Sequence, residues 1–515
     1  MSEYAAPVRD LRFMLKDVLD LDSIAALPGY EHVEPELVDQ ILDEAGKFAN
    51  GVLAPINWTG DQQGARLDNG VVRTADGFAD AYRQFVEGGW NGVPFDPEYG
   101  GSGLPWSVTV ALSEMWNGAN LAFSLCPLLN QGAIDALEAH GSDELKARYL
   151  EKMVSGEWTA TMNLTEPQAG SDVGALRSKA VPRGDGTWSI KGQKIFITFG
   201  EHDMTDNIIH LVLARTPDAP AGTRGISLFL VPKVLVNDDG SLGARNDLRC
   251  VSLEEKIGIH GSPTCVMSYG DNDSCIGWMI GEENKGMRAM FTMMNFARLS
   301  VGMQGVAIAD RAFQRAVAFA RDRVQGKAIP QDGIQATGAI IDHADVRRNL
   351  MTMKAYSEAV RAICLYNGAC LDHGRHSPDA DTARRQKGLA ELLTPVSKGF
   401  STDVGVEMAS IGVQVHGGMG FVEETGAGQH YRDARILPIY EGTNGIQALD
   451  LVTRKLTLNG GEPLRDLLAE MNRTVADAEN AADTRVFAMA EPLRAAAAEL
   501  ERCGAWLAER LGTAP

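Results

Sequence analysis

Hydrophobic periodicity changes character twice along this chain, and few architectures accommodate that. Residues 35–158 carry a helical period: Leu37, Ile41, Leu42, Ala45 and Phe48 fall on one face, and 78–89 and 106–154 read alike. The Pro- and Gly-rich run from Pro94 to Pro105 breaks them sharply. From Trp158 to about Ile280 short β runs take over. The clearest are Trp158–Leu164, Trp188–Ile190, Lys194–Thr198, Ile208–Ala214 and Ile226–Val231. Arg183-Gly184-Asp185-Gly186-Thr187 reads as a hairpin turn, because Asp-Gly favours positive φ. No helices separate these strands, which argues for an antiparallel β domain and against a Rossmann domain. From Lys285 the helical period returns, predicting helices at 286–323, 337–373, 382–414 and 443–456. Two more follow at 464–479 and 484–511, the last very rich in alanine.

The predicted class is therefore α+β multidomain: an N-terminal helical domain, a central antiparallel β domain, and a C-terminal helical bundle with an extra helical tail. The boundaries are an N-terminal extension at 1–40, a helical domain at 41–158, the β domain at 159–282, the second helical domain at 283–458 and an additional segment at 459–515. A chain of 515 residues is long for one core. A β insert between two helical halves creates a cleft at their junction, where ligand sites tend to lie.

Charge narrows the partners. With 48 Lys+Arg against 68 Asp+Glu the formal charge is −20, a poor match to nucleic acid or an anionic membrane surface. No run of 18 apolar residues suggests a membrane span. The stretch Met1 to Phe13 has no apolar core of a secretory signal. The seven cysteines are scattered, without a close pair or a His-paired metal spacing, so reduced thiols in the cytoplasm are expected and no metal site.

The chemistry concentrates in short motifs. In Ile439-Tyr440-Glu441-Gly442-Thr443-Asn444 a carboxylate stands beside an aromatic at the mouth of a predicted helix. Desolvation there would raise its pKa toward that of a useful general base. Thr443 or Asn444 can cap the helix. The same six residues also suit a surface Glu favoured by a helix dipole. Thr165-Glu166-Pro167-Gln168-Ala169-Gly170-Ser171-Asp172 follows a strand and forms a tight loop. Its free N–H groups and hydroxyls suit a heteroaromatic ring or a phosphate, or are an ordinary turn. Phe196 and Thr198 in Lys194-Ile195-Phe196-Ile197-Thr198 fall on one strand face, fit either for a flat cofactor or for the core. Gln414-Val415-His416-Gly417-Gly418-Met419-Gly420 follows a helical run, so a Rossmann reading fails, and a helix stop is the plain alternative. Arg298 in Asn295-Phe296-Ala297-Arg298 lies early in a long helix; Arg323 lies near its far end.

Taken together, TEPQAGSD, KIFIT, an Arg-bearing helix ending in RVQG, QVHGGMG and YEGTN resemble the acyl-CoA dehydrogenase family of flavoproteins, in the family's order and spacing over roughly residues 40–456. The leader from Tyr4 to Asp10 and the added C-terminal helices look like the larger bacterial members, the 3-methylmercaptopropionyl-CoA dehydrogenase-like group.

The resemblance implies FAD as cofactor and Glu441 as the base that takes the α-proton of an acyl-CoA, with the β-hydrogen leaving as hydride to flavin N5 and a trans-2-enoyl-CoA as product. It implies that the Glu441 N–H also donates to the thioester carbonyl and that Gly442 lets the thioester lie close. Met162, Leu164, Thr165, Gly170 and Ser171 match the flavin's pyrimidine side, and Phe196 and Thr198 another part of the ring. Arg323 resembles an arginine reaching the pyrophosphate of a neighbouring subunit's FAD, while Gln414, Gly417 and Gly418 match the adenosine half across that boundary. Tyr440, Thr443 and Gly445 match further FAD contacts. Asn295, where the family often has Asp, and Arg298 match CoA and base-proximal positions, Ser171 a substrate-side position, and Thr223 a position facing the CoA phosphates. A homodimer or homotetramer and an electron-transfer flavoprotein as electron acceptor are implied too. An acyl-CoA oxidase on the same scaffold would instead produce hydrogen peroxide steadily. A non-enzymatic DNA-associated relative would need a basic tail, yet residues 461–515 hold 6 Lys+Arg against 10 Asp+Glu.

Overall fold

The computed structural model describes residues 4–329 and 338–512, and of Asn295 the backbone only. Two short turns, α1 (Val8–Phe13) and α2 (Leu21–Ala25), precede α3 (Pro35–Phe48) and α4 (Ala54–Gln63). Pro35 opens α3, where its missing N–H costs nothing. A small hairpin, β1 (Arg66–Asp68) and β2 (Val71–Arg73), comes next, then α5 (Phe78–Glu87), α6 (Trp106–Ala119), α7 (Leu121–His140) and α8 (Asp143–Ser155). The hairpin lies inside the region expected to be all helix. Its turn is Asn69-Gly70, both at positive φ (50° and 84°), the geometry that matches strand twist in a two-residue loop. Helices α6 and α7 are apolar almost all round and accordingly buried.

The central sheet is built from β3 (Thr159–Asn163), β4 (Lys179–Pro182), β5 (Trp188–Thr198), β6 (Ile208–Ala214), β7 (Ser227–Pro232), then β10 (Leu248–Leu253), β11 (Thr264–Tyr269) and β12 (Ile276–Ile280); β8 (Val234–Val236) and β9 (Leu242–Arg245) form a separate hairpin. The order is β10-β11-β5-β12-β7-β6-β3, with β4 on β5. The sheet departs from the expected antiparallel pattern at one pair: β3 runs parallel to β6. The β4–β5 hairpin between them pairs elsewhere and serves as the long crossover that a parallel pair needs. The two runs predicted at 188–190 and 194–198 are one strand. The β4–β5 turn places Gly184 and Gly186, and not Asp185, at positive φ.

Three long helices dominate the C-terminal half: α9 (Gly286–Asp322), α10 (Ala344–His376) and α11 (Ala380–His416). They are followed by α12 (Ala427–Ala434), α13 (Asn444–Asp450), α14 (Glu462–Glu479) and α15 (Thr484–Gly512). Among the described residues α10 starts at Ala344, later than the predicted 337, since 338–343 form a bend and a short 3₁₀ turn; position 337 itself lies outside the described residues. The helix expected at 443–456 is α13 plus a π turn, Leu451–Lys455.

Buried charge ties the halves together. Glu114 on α6 receives Arg361 of α10 through both Nε (2.9 Å) and a terminal nitrogen (2.6 Å), and Asp310 of α9 lies 3.3 Å from that nitrogen. The Asp372 carboxylate of α10 accepts the N–H groups of Trp106 (2.7 Å) and Ser107 (2.9 Å), capping α6, and the Tyr30 hydroxyl (2.9 Å). Among the described residues no helix is long and apolar enough to cross a membrane, and no cluster of three metal-binding side chains occurs.

Candidate active site

Glu441 occupies the bend between α12 and α13 with φ 56°, a left-handed conformation that costs energy for a residue with a side chain. Gly442 follows at φ 78°, and a Cβ there would lie 2.8 Å from the Gln447 Nε2. That amide donates to the carbonyls of Glu441 (3.1 Å) and Gly442 (3.3 Å). Thr443 caps α13, its hydroxyl accepting from the Ile446 N–H at 3.3 Å. The Asn444 side chain bolts the turn to α11: its Nδ2 donates to the Gly399 carbonyl (2.9 Å) and to Asp403 (2.8 Å), and its Oδ1 accepts from Lys398 Nζ (2.9 Å). Tyr440 donates its hydroxyl to Gln304 of α9.

The strain is thus held from three helices, and it leaves useful groups free. The Glu441 Oε1 is buried with no hydrogen-bond partner, and among the described residues the N–H groups of Glu441 and Gly442 donate to nothing. Burial pushes the Glu441 carboxyl up, Arg298 and Lys398 pull it back, and it settles at about 7. Arg298 itself is buried and paired with Asp450 at 3.2 Å. An unpartnered carboxylate beside two unengaged amide donors can take a proton while those donors bind a developing oxyanion.

The β domain packs against the early turns of α9. Met162 and Leu164 pack onto the cluster that includes Met290, Met293 and Phe296 of α9, the turns just before Arg298. The loop after β3 is closed by paired hydrogen bonds between Glu166 and Ala169. Buried Lys194 of β5 grips Glu166 at 2.8 Å and the Leu164 carbonyl at 3.1 Å. Burial opposes the Glu166 charge, but Lys194 and hydrogen bonds from Ser178 and Arg177 outweigh it and hold the carboxyl at about 2. The TEP and KIFIT motifs are therefore one knot. It presents half-buried Thr165 and Thr198 and exposed Gly170 and Ser171. Phe196, at φ 59° on a bulged stretch of β5, is 57% exposed. Arg215 donates to the carbonyls of Gly174 (2.5 Å) and Gly222 (2.9 Å), which brings the Ser171 loop and Thr223 onto one rim.

Four other predicted residues, at the far ends of α9 and α11, do not join this cleft. Arg323, Gln414, Gly417 and Gly418 are exposed where α9 and α11 end, as the Phe319–His416 ring contact (4.5 Å) shows. From Arg298 or Lys398 they lie roughly 24–38 Å along the helices. Gly445 is exposed one residue inside α13, and the Asn295 side chain lies outside the described residues. Lys398, Gln304, Gln447 and Asp450 were not foreseen as site residues. Lys398 offered the one sequence signal, a lysine amid the small and apolar residues of Leu389–Val404, where a buried face was expected.

The chain matches the acyl-CoA dehydrogenase N-terminal domain over residues 36–157, the middle domain over 161–271 and the C-terminal domain over 284–456. It belongs to the acyl-CoA dehydrogenase family. It is 52% identical to the 3-methylmercaptopropionyl-CoA dehydrogenase of Ruegeria pomeroyi over 463 residues, 90% of this chain and 78% of that protein. It is 38% identical to a butyryl-CoA dehydrogenase of Syntrophomonas wolfei over 505 residues, 96% and 82% of the two chains. Among solved structures, butyryl-CoA dehydrogenase from Megasphaera elsdenii superposes with a TM-score of 0.64 at 25% identity, covering 81% of this chain and 97% of that one. ACDH-11 of Caenorhabditis elegans in complex with C11-CoA gives 0.78 at 20% identity, covering 98% and 82%. Members of this family bind FAD. The cleft fits such a group: the β3 edge away from β6 has no strand partner, the adjoining loop is open at Gly170, and the exposed Phe196 ring stands beside it.

Proposed function

We propose that the protein oxidises a short acyl-CoA thioester at its α,β bond, with Glu441 as the catalytic base. One observation carries this reading: a buried carboxylate oxygen without a partner, in a strained turn, with a pKa of about 7. Ionised Glu441 takes the α-proton. The Glu441 N–H, which has no other acceptor, donates to the thioester oxygen as negative charge develops there. Gly442 keeps that approach open. Arg298 fixes the α13 side of the site through Asp450.

Met162, Leu164, Thr165, Gly170, Ser171, Phe196, Thr198, Tyr440, Thr443 and Gly445 would hold FAD, which when bound supplies the acceptor for the β-hydrogen. Ser171, Thr223, Asn295 and Arg298 are the proposed thioester and CoA contacts. Arg323, Gln414, Gly417 and Gly418 lie too far from Glu441 to serve the same cofactor, so we assign them to the FAD of a second subunit in a homodimer or homotetramer. An electron-transfer flavoprotein is the proposed acceptor, and the cytoplasm the proposed location, in fatty-acid or related acyl-CoA metabolism. The dehydrogenase names of the relatives support an external acceptor over oxygen.

Chain length is suggested by a small cavity one helical turn from Gln304. Trp116 and Leu128 line it together with Asn117, Gln131 and Ser300, and the Asn117 Oδ1 there has no partner. Phe85 and Pro127 add apolar walls, and it is the small size of the cavity, about 20 Å³, that disfavours a long alkyl chain. With the name of the 52%-identical relative, it supports 3-methylmercaptopropionyl-CoA as substrate, with butyryl-CoA next. Anaerobic titration of the yellow protein with acyl-CoAs of graded length tests this. Stoichiometric bleaching by 3-methylmercaptopropionyl- or butyryl-CoA, and little by palmitoyl-CoA, is expected. Failure of every acyl-CoA to bleach it would overturn the reading.

The pKa of Glu441 sets the pH dependence. The group is active when ionised, so the rate of α-proton removal should rise with pH and level off above about 7, falling about tenfold per unit on the acid side. A profile flat down to pH 5 would contradict this assignment.

A further inference from the structure

We infer that Lys398 and Asn444 act as a positioning pair for Glu441, fixing both its left-handed turn and its charge state. The inference rests on Glu441 being the base.

The charged and titratable groups around Glu441 are Arg298 of α9, paired with Asp450 of α13, Lys398 of α11, with Asp403 near it, and the adjacent Tyr440. Two of them are cations, and they differ in one respect. Arg298 is paired with Asp450 at 3.2 Å, and much of its field is spent on that carboxylate. Lys398 is fully buried in the middle of α11, and its ammonium makes no salt bridge among the described residues. Its hydrogen bond goes to the neutral Asn444 Oδ1 at 2.9 Å. A buried ammonium without a carboxylate partner is costly to maintain. Glu441 is the anion that acts on it most strongly, with Asp403 second.

The hydrogen bonds also give Lys398 a mechanical role. Asn444 is held at four points on α11, by Lys398, Gly399, Thr402 and Asp403, and it lies three residues after Glu441. Anchoring Asn444 fixes the C-terminal end of the Glu441–Gly442 turn. Gln447 secures the carbonyls inside it. Lys398 thus orders the turn through Asn444 and favours the ionised base through space, without touching substrate.

The test uses the FAD-loaded protein and its Lys398→Met, Lys398→Arg and Asn444→Ala variants. Three quantities are read: flavin content, the pH dependence of flavin reduction, and the pH dependence of α-proton exchange of bound butyryl-CoA with deuterated water. With the cation removed, the neutral form of Glu441 is favoured. In Lys398→Met the acid limb should therefore move up by at least one pH unit, a tenfold or greater rate loss at pH 6. Acyl-CoA affinity should change less than threefold. Lys398→Arg should restore most of the limb. Asn444→Ala should lower the plateau rate at high pH while moving the limb less, since Lys398 remains. An unmoved limb in a flavin-replete Lys398→Met protein would overturn the inference. If that variant loses flavin, an unmoved plateau in Asn444→Ala would do so instead. Failure of the wild-type protein to exchange the α-proton would count against Glu441 as the base, and not against the pair alone.

Discussion

Glu441→Gln should keep its FAD and its fold, yet lose acyl-CoA-driven flavin reduction by about 10²–10⁴-fold or more. Glutamine has nearly the same shape, and the buried Oε1 it replaces makes no hydrogen bond, so no existing contact is broken. What disappears is the group that accepts the proton. The backbone N–H of residue 441 remains, so acyl-CoA should still bind. Anaerobic rapid mixing with butyryl- or 3-methylmercaptopropionyl-CoA measures the effect directly. Bleaching at close to the wild-type rate would remove Glu441 from the mechanism.

The second large effect falls on stability. Glu114→Ala leaves Arg361, 1% exposed, with Asp310 at 3.3 Å and the more exposed Asp10 at 3.8 Å for its buried charge. Breaking a buried ion pair from one side costs about 3–5 kcal/mol, because the remaining charge is left without compensation. The site should survive in the folded fraction: along α9 Asp310 stands about 18 Å from Arg298. Denaturant unfolding of the holoenzyme should show a lower midpoint, and the flavin-replete protein should keep its rate of reduction by acyl-CoA. An unchanged midpoint would mean that Asp310 and Asp10 satisfy Arg361 without Glu114.

Much of this architecture could be read from residues because helix and strand periods differ so clearly. The continuous apolar run Ile208–Ala214 and the helical period of α9 and α11 are local properties. What stayed hidden was non-local. The parallel pairing of β3 with β6 depends on where the β4–β5 hairpin docks, which no local pattern encodes. The β1–β2 hairpin was legible in Asn69-Gly70 and was overlooked inside a helical region. At the site, YEGTN marked the carboxylate, and its neighbours Thr443 and Asn444 signalled the helix start. The positive φ of Glu441 gave no sequence sign, since a residue with a side chain rarely adopts it. Lys398 and Gln447 are remote or face inward from separate helices, so their convergence appears only once α11 and α13 are packed.

The Asp372 cap on α6 bears on the order in which this protein can be made. The N–H groups of Trp106 and Ser107 find their acceptor 266 and 265 residues later in the chain, and the Glu114 carboxylate waits 247 residues for Arg361. A ribosome that has released the N-terminal helices has not yet synthesised the groups that satisfy them. At typical elongation rates that interval lasts on the order of tens of seconds. During it α6 and α7 expose apolar surface and α6 lacks its cap. These helices therefore belong, energetically, to the second half of the chain.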